Sequence, residues 1–195
     1  TAPLATYGVA TITASKGMVS GSTQVSLVSP TFYNKLKPKN GWNLISVPKA
    51  LQNESVQAIF PNEQVYYYNG TDWLWYIPGY TSTLTKIEPL KGYWVFADAD
   101  KNVSLTYEEI VGPTTPPSVK LVEGWNLIGH GSNITMKVSD ALSSIDGKYS
   151  FVLEYTPEEG WKTYSVAGIK EFTTMKPGYG YWIFMKEEAT YAMGI

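Results

Sequence analysis

The sequence predicts a mainly β chain: two tandem β-rich repeats, each with one short helix, behind an N-terminal β-hairpin segment. Three observations predict it. First, blocks of residues recur in the same order: Gly41-Trp42-Asn43-Leu44-Ile45 returns as Gly124-Trp125-Asn126-Leu127-Ile128, a shift of 83. Pro89, Gly92, Tyr93, Trp94 and Phe96 return as Pro177, Gly180, Tyr181, Trp182 and Phe184, a shift of 88. Second, aromatics make up 14% of the 195 residues, with seven tryptophans and fifteen tyrosines, and these side chains favour strands. Third, Asn69-Gly70, a dipeptide that tolerates positive φ, separates two aromatic stretches as the turn of a hairpin does.

Along the chain, Val9 to Ala14 and Gln24 to Val28 alternate like strands around Gly17, Gly21 and Ser22. Residues 1–33 therefore read as an N-terminal β segment, either the last strands of an immunoglobulin-like domain or an edge added to the first repeat. Repeat 1 covers 34–112, a proline-rich linker 113–118, and repeat 2 covers 119–195; the prolines of the linker favour extended backbone and exclude helix. Within repeat 1, Trp42 to Val47 reads as a strand and Val56 to Phe60, matched by Val138 to Ile145, as one or two helical turns. Val65 to Tyr68 and Trp73 to Ile77 form the hairpin, and Gly92 to Ala97 with Val103 to Tyr107 reads as a second strand pair.

A unit of this size without cross-links has a thin core. Six tryptophans are matched between the copies, Trp42 with Trp125, Trp73 with Trp161 and Trp94 with Trp182, so they are expected to fill that core. Asn43 and Asn126, polar residues inside apolar strands, are expected to latch loop backbone. Whether the copies share a core stays open.

With these blocks in view, the unit resembles a repeat of secreted and cell-surface proteins of archaea, surface-layer-type proteins among them, and of some bacterial exoproteins. A Gly-Trp-Asn-Leu-Ile start, a Trp-containing hairpin, a helix fitting Ala141 to Ile145 and a Pro-x-x-Gly-Tyr-Trp close carry the likeness from about Asn34 to Ile195. The resemblance implies an extracellular or adhesive setting beside other surface modules, and no catalytic residues. Independently, Asn53, Asn69, Asn102 and Asn133 each begin an N-glycosylation sequon, all in expected turns or loops. The strand-like start at Thr1 reads as a mature or excised fragment of a larger protein.

Composition excludes several chemistries. With no cysteine and one histidine, thiolate and multi-histidine metal sites are impossible, and no metal or cofactor is expected. A net charge of −2 leaves no basic surplus for nucleic acid, and no apolar run is long enough to span a membrane. His130 has Val47 at its matched position, so a relay with Ser132 and Asp140 is not expected. Adjacent acids such as Glu108 and Glu109 point to opposite faces of a strand and cannot act as a glycosidase pair. Asp98, Asp100, Asn102, Ser104 and Glu109 imitate a calcium loop but have Val103 where glycine is required.

Binding is the remaining activity. Tyr66, Tyr67 and Trp75 face Leu153, Glu154 and Thr163 in the other copy, so their aromaticity is not demanded by the shared scaffold. Together with Tyr68 and Tyr80 they form a candidate platform for sugar rings or a partner protein. The leading expectation is a noncatalytic cell-surface module, a structural spacer or adhesion element. The alternative is a carbohydrate-binding module using this hairpin.

Overall fold

The computed structural model describes residues 6–16, 19–28, 31–36, 41–108 and 115–192. The hairpin turn at Gly17, Glu109 and the start of the linker, Gly112 to Thr114, lie outside the described residues. The chain is mainly β. Strands β1 (Thr6–Lys16) and β2 (Val19–Val28) pair antiparallel as a separate two-stranded sheet.

The first copy comprises β3 (Thr31–Leu36), β4 (Trp42–Ser46), α1 (Val56–Ile59), β5 (Gln64–Tyr68), β6 (Trp73–Tyr76), β7 (Gly92–Phe96) and β8 (Lys101–Thr106). Four of these strands form an antiparallel sheet in the order β4-β7-β5-β6, and β3 pairs with β8 beside it. The second copy repeats the plan with β9 (Ser118–Leu121), β10 (Gly124–Gly129), β11 (Met136–Lys137), α2 (Val138–Ala141), a 3-10 turn at Ser143–Ile145, β12 (Tyr149–Thr156), β13 (Gly160–Ser165), β14 (Thr174–Met175), β15 (Gly180–Met185) and β16 (Ala189–Ala192). Its sheet runs β10-β15-β12-β13, with β9 paired to β16. The two four-stranded sheets thus share one topology.

Two expectations change here. The strand that opens copy 1 starts at Thr31, so the boundary between 33 and 34 falls inside β3. Strands β7 and β8 do not pair with each other. β7 sits in the interior of its sheet, flanked by β4 and β5, so both its edges are taken; β8 turns away to β3. Among the described residues no helix is long and apolar enough to cross a membrane.

Strand alternation divides each sheet into two chemically different faces. In copy 1, Asn43, Ile45, Val65, Tyr67, Tyr76, Tyr93 and Val95 are buried in a core completed by Leu36, Val56, Phe60, Val103 and Leu105. In copy 2 the corresponding core holds Ile128, Val152, Tyr181, Ile183 and Met185 with Val138, Leu142, Ile145 and Tyr191. The asparagines serve those cores as latches. Asn126 donates from Nδ2 to the Val122 carbonyl at 2.7 Å and to the Gly124 carbonyl at 3.1 Å, while its Oδ1 accepts from the Val122 N–H at 3.0 Å. Asn43 donates to the carbonyls of Gly41 and Val95. Gly41 and Gly124, which enter these strands, have φ of +73° and +92°, a region that glycine reaches without strain.

The opposite faces carry the tryptophans and meet each other. The contact is reciprocal: the Ser46 N–H donates to the Gly178 carbonyl at 2.9 Å, and its counterpart Gly129 N–H donates to the Leu90 carbonyl at 2.8 Å. Isolated β-bridges join Ile45 to Tyr179 and, at matching positions, Ile128 to Lys91. Each copy also inserts a leucine across the boundary: Leu127 belongs to the first core and Leu90 to the second. The two repeats therefore pack as one body about a pseudo-twofold axis.

The expectation that the six matched tryptophans fill the cores is overturned. Trp73, Trp125 and Trp161 are 49%, 39% and 52% exposed, and Trp42, Trp94 and Trp182 are half-buried. The cores are filled chiefly by aliphatic side chains and tyrosines, while Trp94 and Trp182 pack against the first of them without being fully buried. The physical reason is the twofold packing: a residue repeated in both copies can serve the contact between them rather than the core within each.

Candidate binding groove

The aromatic faces do not close completely. Trp42 from β4, Trp94 from β7, Tyr66 from β5, and Trp73 and Trp75 from β6 form one wall of an open groove of about 590 Å³. Tyr155 and Trp161, from the β12–β13 hairpin of the other copy, form the opposite wall. Register explains the wall: Leu44, Trp94, Tyr66 and Trp75 lie in one transverse row across four strands, on one face. Trp73 and Trp75 are two residues apart on β6 and so share that face.

The rings are held in defined contacts. Trp42 meets Tyr66, Trp94 and Phe96 edge-on with centroids 5.6, 6.4 and 5.2 Å apart. Across the copies, Trp94 lies 5.1 Å from Tyr155 and 5.7 Å from Trp161. Such geometries contribute about 0.5–1.5 kcal/mol per pair beyond area burial. The edge strand is fixed as well: the Trp75 N–H donates to Thr83 Oγ1 at 3.0 Å, and the Trp75 carbonyl accepts from the N–H groups of Thr83 and Leu84. The Tyr66 hydroxyl donates to Gln64 Oε1 at 3.1 Å.

No lining residue carries a formal charge, so the groove is an uncharged aromatic surface with indole N–H and phenol O–H groups as its polar handles. Its walls hold neither a nucleophile nor a pair of carboxylates.

Of the candidate platform residues, the structure brings Tyr66 and Trp75 into the groove. Tyr67 points to the core, 5.5 Å from Tyr93, and burial followed by the charge of Glu88 pushes its hydroxyl up to about 12. Its counterpart Glu154 is likewise buried and lies 3.3 Å from Lys176 Nζ. Tyr68 packs on Trp73 and on Trp182 of the other copy. Tyr80 is exposed and does not line the groove. Trp42, Trp73, Trp94 and Trp161, which the repeat pattern assigned to scaffold, line it. The alternation of Trp42 with core-facing Asn43 in the Trp-Asn-Leu-Ile strands was the sequence signal for that.

The sequons are spread over the surface. Asn53 and Asn102 line a second groove of about 430 Å³, and Asn102 lies within β8 rather than in a turn because the chain has already entered the β3–β8 ladder there. Asn69 caps the β5–β6 turn, its Oδ1 accepting from the N–H groups of Thr71 and Asp72 at 2.9 and 2.7 Å. Asn133 is half-buried in the loop after β10. Among the described residues no three His, Cys, Asp or Glu side chains gather as a metal site.

His130 is fully buried, and its Nε2 lies 2.8 Å from the Ile134 carbonyl, which makes Nε2 the protonated nitrogen. Desolvation lowers its pKa, against the smaller raising effect of that hydrogen bond. The folded chain therefore binds fewer protons than the unfolded chain below the ordinary imidazole pKa of about 6.5. Stability is expected to hold above that pH and to fall as pH drops below it. Urea unfolding of the wild type and of His130→Gln from neutral to mildly acidic pH checks this, the variant lacking that component of the slope.

No protein-family model, no curated protein and no solved structure matches this chain.

Proposed function

We propose that the chain is a noncatalytic carbohydrate-binding module of a secreted or cell-surface protein, an adhesion element whose adhesive site is the aromatic groove. The observation that carries this is the groove itself, seven aromatic side chains contributed by both copies around an open, uncharged space. Tyr66 and Trp75 add the decisive asymmetry, since Leu153 and Thr163 perform the scaffold's task at the same register in copy 2. Rigid rings with few rotatable bonds lose little entropy on binding, and uncharged walls suit uncharged sugars. The extracellular setting draws support from the resemblance to surface-layer-type repeats and from the four sequons.

A glycan array tests this reading. Reproducible binding to neutral glycans is expected, and Trp75→Ala is expected to reduce affinity by about 1.5–3 kcal/mol, roughly 10- to 150-fold. Because Trp75 is on an edge strand and half-buried, its removal is expected to cost only about 1 kcal/mol of stability. An array without reproducible hits would leave a plain spacer.

A further inference from the structure

The rings of the groove have counterparts under the pseudo-twofold axis. Trp42 corresponds to Trp125, Trp94 to Trp182, Tyr155 to Tyr68 and Trp161 to Trp73, while Tyr66 and Trp75 are replaced by Leu153 and Thr163. The counterpart rings keep the same mutual geometry. Trp182 lies 5.7 Å from Tyr68 and 5.9 Å from Trp73, and Trp125 lies 6.3 Å from Trp182 and 5.1 Å from Phe184.

Trp73 belongs to both halves, because it lines the first groove and also packs against Trp182. Two ring clusters thus meet at one groove: Trp42, Trp94 and Trp161 on one side, and on the other Trp73, which leads on through Trp182 to Trp125. Trp125 is itself exposed, so this aromatic track is open at its far end.

We propose, resting on the carbohydrate reading above, that this track binds the interior of a linear uncharged polysaccharide, with the first groove as the tight subsite and the Trp182–Trp125 half as a weaker extension. A site that reads a chain terminus needs a closed end and polar groups placed to recognise the terminal residue. The walls of the first groove are aromatic and uncharged, and the series of rings continues from one copy to the other through Trp73 and Trp182. The absence of rings at Leu153 and Thr163 makes the second half the weaker one.

The test uses length series of cello-, β-1,3-gluco- and β-1,4-manno-oligosaccharides, from disaccharide to octasaccharide, titrated calorimetrically into the whole chain. Affinity is expected to rise with length beyond the trisaccharide. Trp125→Ala is expected to leave the shortest binding oligomer within about twofold and to weaken the longest roughly five- to tenfold. Thr163→Trp, which restores a ring to the second half, is expected to tighten binding of the longest oligomer only; this gain keeps the test decisive even where Trp125→Ala disturbs folding. Binding that neither grows with length nor responds to either substitution would overturn the extended track while leaving the first groove standing. Absence of binding in all three series, together with an array devoid of hits, would overturn both.

Discussion

Tyr181→Ala is expected to destabilise the chain by about 3–5 kcal/mol, whereas Trp161→Ala, which removes a larger ring, is expected to cost about 1 kcal/mol. Tyr181 is completely buried, stacks on Phe172 with centroids 6.0 Å apart, and its hydroxyl accepts from the Lys176 N–H at 2.8 Å. Truncation leaves both a cavity and an orphaned backbone donor, and the two penalties add. Tyr93 occupies the matching place in copy 1, accepting from the Glu88 N–H at 2.8 Å, and burial drives the pKa of both hydroxyls well above the ordinary value. Trp161 stands 52% exposed and gives up only part of its contacts. Urea unfolding of the two variants side by side checks the ordering. Equal losses would mean that the indoles do hold the fold.

The second large effect concerns the contact between the copies. A Cβ at Gly92 would stand 2.5 Å from the Ile128 carbonyl oxygen, and one at Gly180 would stand 2.7 Å from the Ile45 carbonyl oxygen. Both obstacles are backbone atoms of the other copy and cannot swing aside as a flexible side chain can. Gly92→Ala is therefore expected to cost about 2–4 kcal/mol by prising the sheets apart, with Gly180→Ala alike. Gly168→Ala is the control: nothing lies near its added Cβ, and its effect should stay within about 0.5 kcal/mol. Thermal unfolding of the three variants measures the difference. Because the groove needs walls from both copies, Gly92→Ala should also weaken the glycan binding proposed for it.

These effects show which parts of the molecule could be read from the chain. The duplicated blocks gave away both sheets, because Gly41-Trp42-Asn43-Leu44-Ile45 and its repeat pair in matching register with the two Gly-Tyr-Trp strands. The asparagine latches followed from a polar residue held between apolar neighbours. The pairing of β8 with β3 was hidden, since local alternation says nothing about which strand a segment joins when the sequence separation is large. The place of the tryptophans was hidden for a related reason: recurrence in two copies is compatible with burial inside each copy, yet a twofold contact also repeats its residues. Trp42, Leu44 and Ser46 alternate with Asn43 and Ile45, so the indole face was distinguishable from the core face. What the alternation could not reveal was that the opposite copy covers that face incompletely, leaving Tyr66 and Trp75 beside Tyr155 and Trp161.

The close juxtaposition of Gly92 and Gly180 with the opposite backbone gives these residues a purpose that strand patterning does not explain. In a strand interior, glycine weakens pairing unless another backbone must come near. Here the reciprocal bonds from Ser46 and Gly129 require that approach.

An indole-fluorescence titration of the wild type and of a Trp42→Ala/Trp75→Ala double variant with soluble neutral polysaccharides, with urea unfolding of the same samples, tests whether the tryptophans of the meeting faces form the proposed binding surface more than a core. A saturable spectral change is expected in the wild type and a far weaker one in the double variant, with unfolding free energies within about 2 kcal/mol of each other. A double variant that unfolds far more easily, or a wild type that answers to no polysaccharide, would contradict that reading.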